Sequence, residues 1–376
     1  MTSSSNPASI TIGFVGDVFL GRAVWDLVQR RGPRAPFAAM LPLLEQFDLT
    51  VGNFELCLSD GAFEEVRGRL VVPHDQAETL KHSGIEIFSL ANNHIMDFGA
   101  RGLQATASFL RENGFRFFGA GSDLAEAEKP LILTCKGKRI AFLGACDASL
   151  FYADRSRPGI APLMQRRLVR RVIAAKQIAD IVIVILHADL EFVSHPAPFR
   201  QRLSRRLIDL GATMVIQHHP HVVQGLEAYK DGLIAYSLGN YVFPVKGNSY
   251  QERRPGTSDS MLLAVTLNIH GDDVRIEMDP IPLRIDDDGC PVPCDATEAE
   301  QRNHALKRLS EETSHPALVR RSRFTSCKSE AKSAFMGVYY ALARKDAGGA
   351  QAQLKGLLTR PENWRWMAGL LSGGRY

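Results

Sequence analysis

Six short, almost purely apolar runs, separated by helix-like stretches, leave this chain few folds to choose from. Ile10–Gly16, Leu49–Asn53, Ile85–Leu90, Arg139–Ala145, Ile181–His187 and Thr213–Gln217 are rich in Val, Ile and Phe, and polar or Gly positions bound each one. Runs of this length and composition read as strands buried on both faces. Between them, Phe37–Phe47, Ala100–Asn113, Leu163–Ile178 and Phe199–Leu210 carry apolar residues at helical spacing, and Gly114 and Gly211 stand where helix stops belong. This alternation predicts an α/β architecture. Lys136-Gly137-Lys138, Asp231-Gly232 and the Gly271–Asp273 segment each join two apolar runs and predict hairpins, so the sheets should be mixed.

A chain of 376 residues with 45% hydrophobic and 23% charged residues can bury one large core or two modest ones. The net charge of +4 hides an asymmetry. Residues 301–376 carry 14 Lys and Arg against 5 Asp and Glu, while the rest of the chain is net −5. Asp286-Asp-Asp-Gly289 and the Pro/Cys stretch after it mark a shift in composition. We therefore expect a body over 1–286 and a basic helical extension over 287–376 packed on it, with helices at Glu298–Glu312, Glu330–Ala347 and Ala350–Leu358 and a last segment opened by Pro361. The basic tail reads as a solvated surface rather than an anion site. It lacks the aromatic interleaving of a nucleic-acid binder. Arg166–Arg171 and Arg200–Arg206 read as outer faces of sheet-covering helices, and Pro244–Ser260 as a long loop, either a lid or a disordered segment.

No basic stretch followed by an apolar one opens the sequence, and no run approaches the ~18 apolar residues of a membrane span, so a cytoplasmic protein is expected. The six cysteines are scattered as reduced thiols would be. Cys290-Pro-Val-Pro-Cys294 has no second pair at zinc-site spacing and reads as a turn.

Chemistry collects where the predicted strands end. The first run leads into Asp17, the second into Asn53-Phe54-Glu55, the third into Asn92-Asn93-His94, the fifth into His187 and the sixth into His218-His219-Pro220-His221. Five of the eleven histidines lie at these ends. A lone Asp or His at a strand end is commonly structural, but their coincidence at one edge of an α/β sheet points to a shared crevice. Carboxylates and imidazoles without thiolates suit one or two divalent ions such as Mn, Fe or Zn. In an extended segment His219 and His221 would project to one side with Cα atoms ~6–7 Å apart, a pair able to serve two ions ~3.5–4 Å apart.

The ordered motifs GDVFLGR (16–22), GNFE (52–55), SLANNHIMDFG (89–99), GAG (119–121), RPGIAPL (157–163), LHADLEF (186–192), HHPHVVQ (218–224) and YSLGNYVF (236–243) resemble those of the CapA-type bacterial capsule synthesis family, also called the poly-γ-glutamate synthesis family, of the metallophosphatase (calcineurin-like phosphoesterase) superfamily. The resemblance implies a four-layer α/β/β/α sandwich with a mononuclear or dinuclear metal centre. Carried over by position, it implies Asp17, Glu55, Asn93, His187, His219 and His221 as ligands, His94 as catalytic acid and Asp97 as the carboxylate that holds His94. It further implies that Arg22, Asn53, Asn92, Glu191, His218 and Asn240 line the substrate crevice. The expected activity is a phosphoesterase in which a metal-bound hydroxide attacks phosphorus and His94 protonates the leaving oxygen. Alternatives are an accessory role in anionic polymer synthesis, or hydrolysis of an amide or γ-glutamyl bond.

This chain departs from the superfamily pattern at four places. Phe19 stands where an imidazole is usual, Asn53-Phe-Glu55 replaces a Gly-Asp motif, Gln217 replaces a Gly, and Ala188-Asp189 replaces Trp-Gly. Asp189 would add a carboxylate beside the site, either repelling an anionic substrate or serving as a further ligand. The expected partner is an anionic small molecule or polymer, without nucleic acid or membrane, and a homo-oligomer is left open.

Overall fold

The computed structural model describes residues 8–59, 69–147, 151–271, 273–343 and 361–374. Each predicted apolar run forms a strand, and the strands divide between two sheets. The first sheet runs, in spatial order, Pro291–Pro293, Asp273–Ile285, Asp259–His270, Ala8–Val18, Leu49–Phe54, Ile87–Ser89 and Arg116–Phe118, with Asn240–Val242 added parallel to Ala8–Val18. The second runs Leu226–Tyr229, Gly232–Ala235, Met214–His218, Ile181–His187, Lys138–Cys146 and Leu131–Cys135. In the second sheet the central pairings are parallel and the outer ones antiparallel; in the first, Ala8–Val18 to Arg116–Phe118 pair in parallel and Ala8–Val18 to Pro291–Pro293 antiparallel, and the three predicted hairpins supply antiparallel pairs.

The sheets pack face to face through Ile10, Ile12 and Phe14 of one and Phe142, Ile183, Ile185 and Ile216 of the other. On the outer side of the first sheet, Val24 of helix Ala23–Arg31 and Leu103, Phe109 and Leu110 of helix Gly99–Glu112 cover Val15 and Phe88. On the outer side of the second, Leu168 and Val172 of helix Gln165–Lys176 and Leu203 and Leu207 of helix Pro198–Asp209 cover Leu143, Val184 and Val215. The result is the expected α/β/β/α sandwich. It explains the composition of the strands, since a strand with side chains buried on both faces has no polar face to show.

Several local expectations are corrected. Phe37–Phe47 is largely turns, with only Leu41–Leu44 helical, because Pro42 lacks an amide donor and restricts the residue before it. Pro291–Pro293 is an edge strand paired with Leu283–Ile285 rather than a turn, on an edge where proline costs no ladder bond. Cys290 and Cys294 are free thiols. Arg200 is buried, not outward-facing, and bonds to Gln217. The helix expected from Glu330 begins at Pro316 and runs to Ala343. The helix expected at 350–358 lies outside the described residues. Among the described residues no helix is long and apolar enough to cross a membrane.

Parallel pairing carries the strand ends to one edge. Asp17 lies level with Asn53 and Asn240 in the first sheet, and His187 with His218 and Cys146 in the second. Gly16 permits this convergence: a Cβ there would overlap the carbonyl oxygen of Gly239, which accepts from the amide of Asp17 at 3.1 Å. Gly16→Ala is expected to cost about 1–3 kcal/mol or more, read as a lower denaturant midpoint. An unchanged midpoint would show that the two strands separate without loss.

Candidate metal centre

Glu55 occupies the middle of the strand-end edge. Its amide donates to the carbonyl of Val18 at 3.1 Å, which ties the residue to the neighbouring strand end, and its side chain is fully buried. Around its carboxylate the structure gathers two sets of candidate ligands. Atoms of Glu55, His187 and His219 lie within 4.8 Å of one another, and so do atoms of Asp17, Glu55 and His221. Nε2 of His187 and Nε2 of His221 are each 3.7 Å from Oε1 of Glu55. Nε2 of His187 also lies 2.7 Å from Oδ1 of Asn93, which brings that amide to the first set. All six expected ligands are therefore together, with Glu55 shared between the two sets.

The backbone that delivers His219 and His221 is not extended. His219 has φ 99° and His221 φ 56°, both left-handed conformations that non-glycine residues adopt at a cost of order 1–3 kcal/mol each. The turn sends the two rings to opposite sides of Glu55, 6.3 Å apart between centroids. The two rings thus join different ligand sets through a left-handed turn rather than through the extended segment expected.

Burial governs the protonation of these groups. It pushes the Glu55 carboxyl well above its usual range, helped by the carboxylates of Asp17, Glu191 and Asp97. It pushes the His187 and His219 imidazoles well below theirs, with neighbouring imidazoles adding to the effect, and lowers His221 despite Asp17 and Asn240. At Asp17 burial is outweighed by contacts with His218, His221 and Asn53, so its carboxyl stays below the ordinary value. Neutral imidazoles are the form that binds metal.

Hydrogen bonding tests whether a cation fits. Among the described residues, neither oxygen of Glu55 has a hydrogen-bond partner, nor has Oδ2 of Asp17 or Nδ1 of His219. A proton on Glu55 could be shared with the Asp17 carboxylate, but it would leave the second Glu55 oxygen and Nδ1 of His219 without partners, since the imidazole nitrogens facing Glu55 stand at 3.7–3.9 Å. A cation within reach of both oxygens, the imidazoles and Asp17 satisfies all of them at once, so the residues fit one or two divalent ions of the borderline class.

His94 stands beside this set. Its Nδ1 is 2.7 Å from Oδ2 of Asp97, which also accepts from the amide of Leu70 at 2.6 Å, and its Nε2 lies 3.9 Å from Oε1 of Glu55. A carboxylate so placed fixes the ring orientation and turns Nε2 towards the centre.

Several residues expected along the crevice are instead buried behind the candidate ligands. Asn53 donates to Asp17 at 2.8 Å and meets Nδ1 of His187 at 3.1 Å. Asn92 donates to the Phe54 carbonyl at 2.7 Å and accepts from the amides of His94 and Ile95 at 3.1 and 3.0 Å, so it shapes the turn that presents Asn93 and His94. Asn240 Oδ1 is 2.9 Å from Nδ1 of His221, and His218 Nδ1 is 3.4 Å from Asp17. Glu191 accepts from the Tyr250 hydroxyl, with Oε1 3.8 Å from His221 Nε2. Arg22 stacks its guanidinium 5.6 Å above the Phe19 ring.

Asp189 is neither a ligand nor a repelling charge. Its carboxylate pairs with Arg323 at 2.8 Å and accepts from the amides of Leu190 and Ala197 at 2.8 and 2.7 Å. Arg323, Gln251 and Tyr250 are thus parts of this region that the strand-end argument missed, because they lie far along the chain in a loop and a basic helix. The one hint was the unmatched Asp189 in a chain with a basic tail.

The model of the family described as bacterial capsule synthesis protein matches residues 11–245. The chain is 31% identical over 320 residues to the capsule biosynthesis protein CapA of Bacillus anthracis, which covers 82% of this chain and 75% of that one. It is 30% identical over 306 residues to the PGA biosynthesis protein CapA of Bacillus subtilis (strain 168), covering 79% and 75%. A probable polyglutamine synthesis accessory protein of Mycobacterium tuberculosis is 28% identical over 330 residues, covering 75% and 86%.

A carboxylate that needs a cation gives a prediction of opposite signs. Glu55→Gln is expected to raise the thermal midpoint of metal-free protein, because it replaces a carboxyl whose ionised form burial disfavours with a neutral amide, and to abolish stabilisation by added Mn(II). For the unmodified chain that stabilisation is about 2.7 kcal/mol at a hundredfold excess over Kd. A variant stabilised by Mn(II) as strongly as the unmodified protein would contradict the assignment.

Proposed function

The chain belongs to the bacterial capsule synthesis protein family, and from that premise we propose that it is a metal-dependent hydrolase, acting on a phosphoester in the service of anionic polymer synthesis. The observation that carries this reading is the Glu55 carboxylate, buried among the described residues without a hydrogen-bond donor and shared by two candidate ligand sets, while His94 stands 3.9 Å away. Divalent ions held by Asp17, Glu55, Asn93, His187, His219 and His221 would supply a water of lowered pKa and offset charge developing at phosphorus.

The chain's own groups supply the rest. His94, held by Asp97, delivers a proton to the leaving oxygen from Nε2, and the 2.7 Å contact keeps the ring in place through the transfer. Asn53 and Asn240 hold His187 and His221 in register. Arg22 is the candidate for holding an anionic group, which a guanidinium does through two parallel bonds. The roles in capsule and PGA biosynthesis for which the relatives are named support a place in making such a polymer. A second reading, hydrolysis of an amide or γ-glutamyl bond, draws on the relative named for polyglutamine synthesis, a polymer joined by amides.

A screen of phosphomonoesters, phosphodiesters and γ-glutamyl peptides with added Mn(II) separates the two readings. Turnover of a phosphoester is expected; turnover of the peptides alone selects the second. His94→Ala should keep its metal and lose about 10²–10⁴-fold in turnover, whereas His187→Ala should lose metal. Equal loss of metal in both variants would show that His94 is a ligand and not the acid.

A further inference from the structure

The two halves of the centre are held by different parts of the chain. The half with Glu55, His187 and His219 is backed by the sheets: His187 ends a central strand, and its ring is pinned by Asn53 at 3.1 Å and Asn93 at 2.7 Å. In the half with Asp17 and His221, Asp17 lies on the strand Ala8–Val18, but what stands behind His221 leads into loops. Asn240, which meets His221 at 2.9 Å, donates in turn to Oε1 of Gln251 at 3.1 Å and to the Thr257 carbonyl at 2.9 Å. The His221 ring stacks on Phe192 with centroids 6.0 Å apart, and Phe192 belongs to a loop that also holds Asp189 at φ 94° and is itself at φ 59°. Backbone in such conformations persists only where its surroundings hold it.

What holds both loops is the helix Pro316–Ala343. Arg323 is fully buried; one of its nitrogens lies 2.8 Å from Asp189, and another donates to the His195 carbonyl at 2.9 Å. About one turn further on, Cys327 closes an apolar cluster with Leu190, Val193 and Trp366. Glu330 accepts both arms of Arg254, at 3.2 and 2.7 Å, and the Arg254 guanidinium lies 4.6 Å from the Phe192 ring and 4.8 Å from the Tyr250 ring. The Tyr250 hydroxyl donates to Glu191, so the two loops are also joined to each other.

We propose that the C-terminal extension is a built part of the metal centre, with Arg323 and Glu330 as positioning residues that set the affinity of the Asp17–Glu55–His221 position and leave the Glu55–His187–His219 position to the sheets. The proposal rests on the metal-centre reading above. It places the chain's basic tail, whose anchoring residues lie beyond the family-matched segment 11–245, in the service of one ion and not the other. A helix that merely packed on the body would lower overall stability without separating the two affinities.

Titration of the metal-free, full-length protein with Mn(II) alone, followed by calorimetry and by electron paramagnetic resonance of the bound ion, reads each equivalent separately. The unmodified chain is expected to bind two equivalents. Glu330→Gln should leave the tighter one unchanged and weaken the other by about ten- to a hundredfold, the range typical of lost support behind a ligand. Arg254→Lys keeps the charge but loses the two-armed contact; it should weaken the same equivalent less, and it carries the test if Glu330→Gln does not fold. Two equivalents that stay unchanged, or that weaken together, would overturn the proposal, as would a single equivalent in the unmodified chain. A chain that binds no Mn(II) at all would instead overturn the metal centre itself.

Discussion

A carboxylate whose two oxygens are shut away from water without a hydrogen-bond donor must take up a proton or find a cation, because the desolvation of the charge otherwise costs several kcal/mol. Glu55 is in that position among the described residues, and a proton is only a partial answer: shared with Asp17, it would still leave one Glu55 oxygen and Nδ1 of His219 without partners. Everything that distinguishes this edge of the molecule follows from supplying the second answer. Parallel pairing within two mixed sheets brings Asp17 and His187 to the same edge, a left-handed turn parts His219 from His221, and burial favours the neutral imidazoles.

The centre built this way is unequal. Where an imidazole is usual near the first strand end, Phe19 packs against Phe243, and Phe243 in turn faces the His221 ring at 5.1 Å. The Asp17 half therefore has fewer ligands of its own and depends more on what stands behind His221. That support comes through Asn240, the 244–258 loop and Phe192, and ends in the helix that begins at Pro316. Asp189, an oddity among the motifs, makes sense only with that helix in place: its charge is matched by Arg323, and breaking such a pair leaves an uncompensated buried ion.

The fold was legible because strands buried on both faces must be apolar throughout, a pattern that needs no partner to be recognised, and because Lys136-Gly137-Lys138 and Asp231-Gly232 put turn residues between apolar runs where the structure makes hairpins. The six candidate ligands were legible because parallel strands end together. What could not be read is the work of side chains across long separations. Asn53, Asn92 and Asn240 look like crevice residues in a motif, yet their partners are ligands and carbonyls brought in by folding. Arg200 and Arg323 look like surface charge at helical spacing, yet each is buried against distant groups, Arg200 against Gln217 and Arg323 against Asp189 and the His195 carbonyl. The extended geometry expected for His219-Pro220-His221 failed because the strand stops at His218 and tertiary contacts impose the turn.

The central claim concerns one carboxylate, and diffraction from crystals grown with Mn(II), recorded at the manganese absorption edge, tests it most directly. The account places anomalous density at bonding distance, about 2.0–2.2 Å for carboxylate oxygen in comparable sites, from Glu55, with His187 and His219 on one side or Asp17 and His221 on the other. Density confined to other parts of the molecule, with Glu55 protonated and bonded to a neighbour, would contradict it.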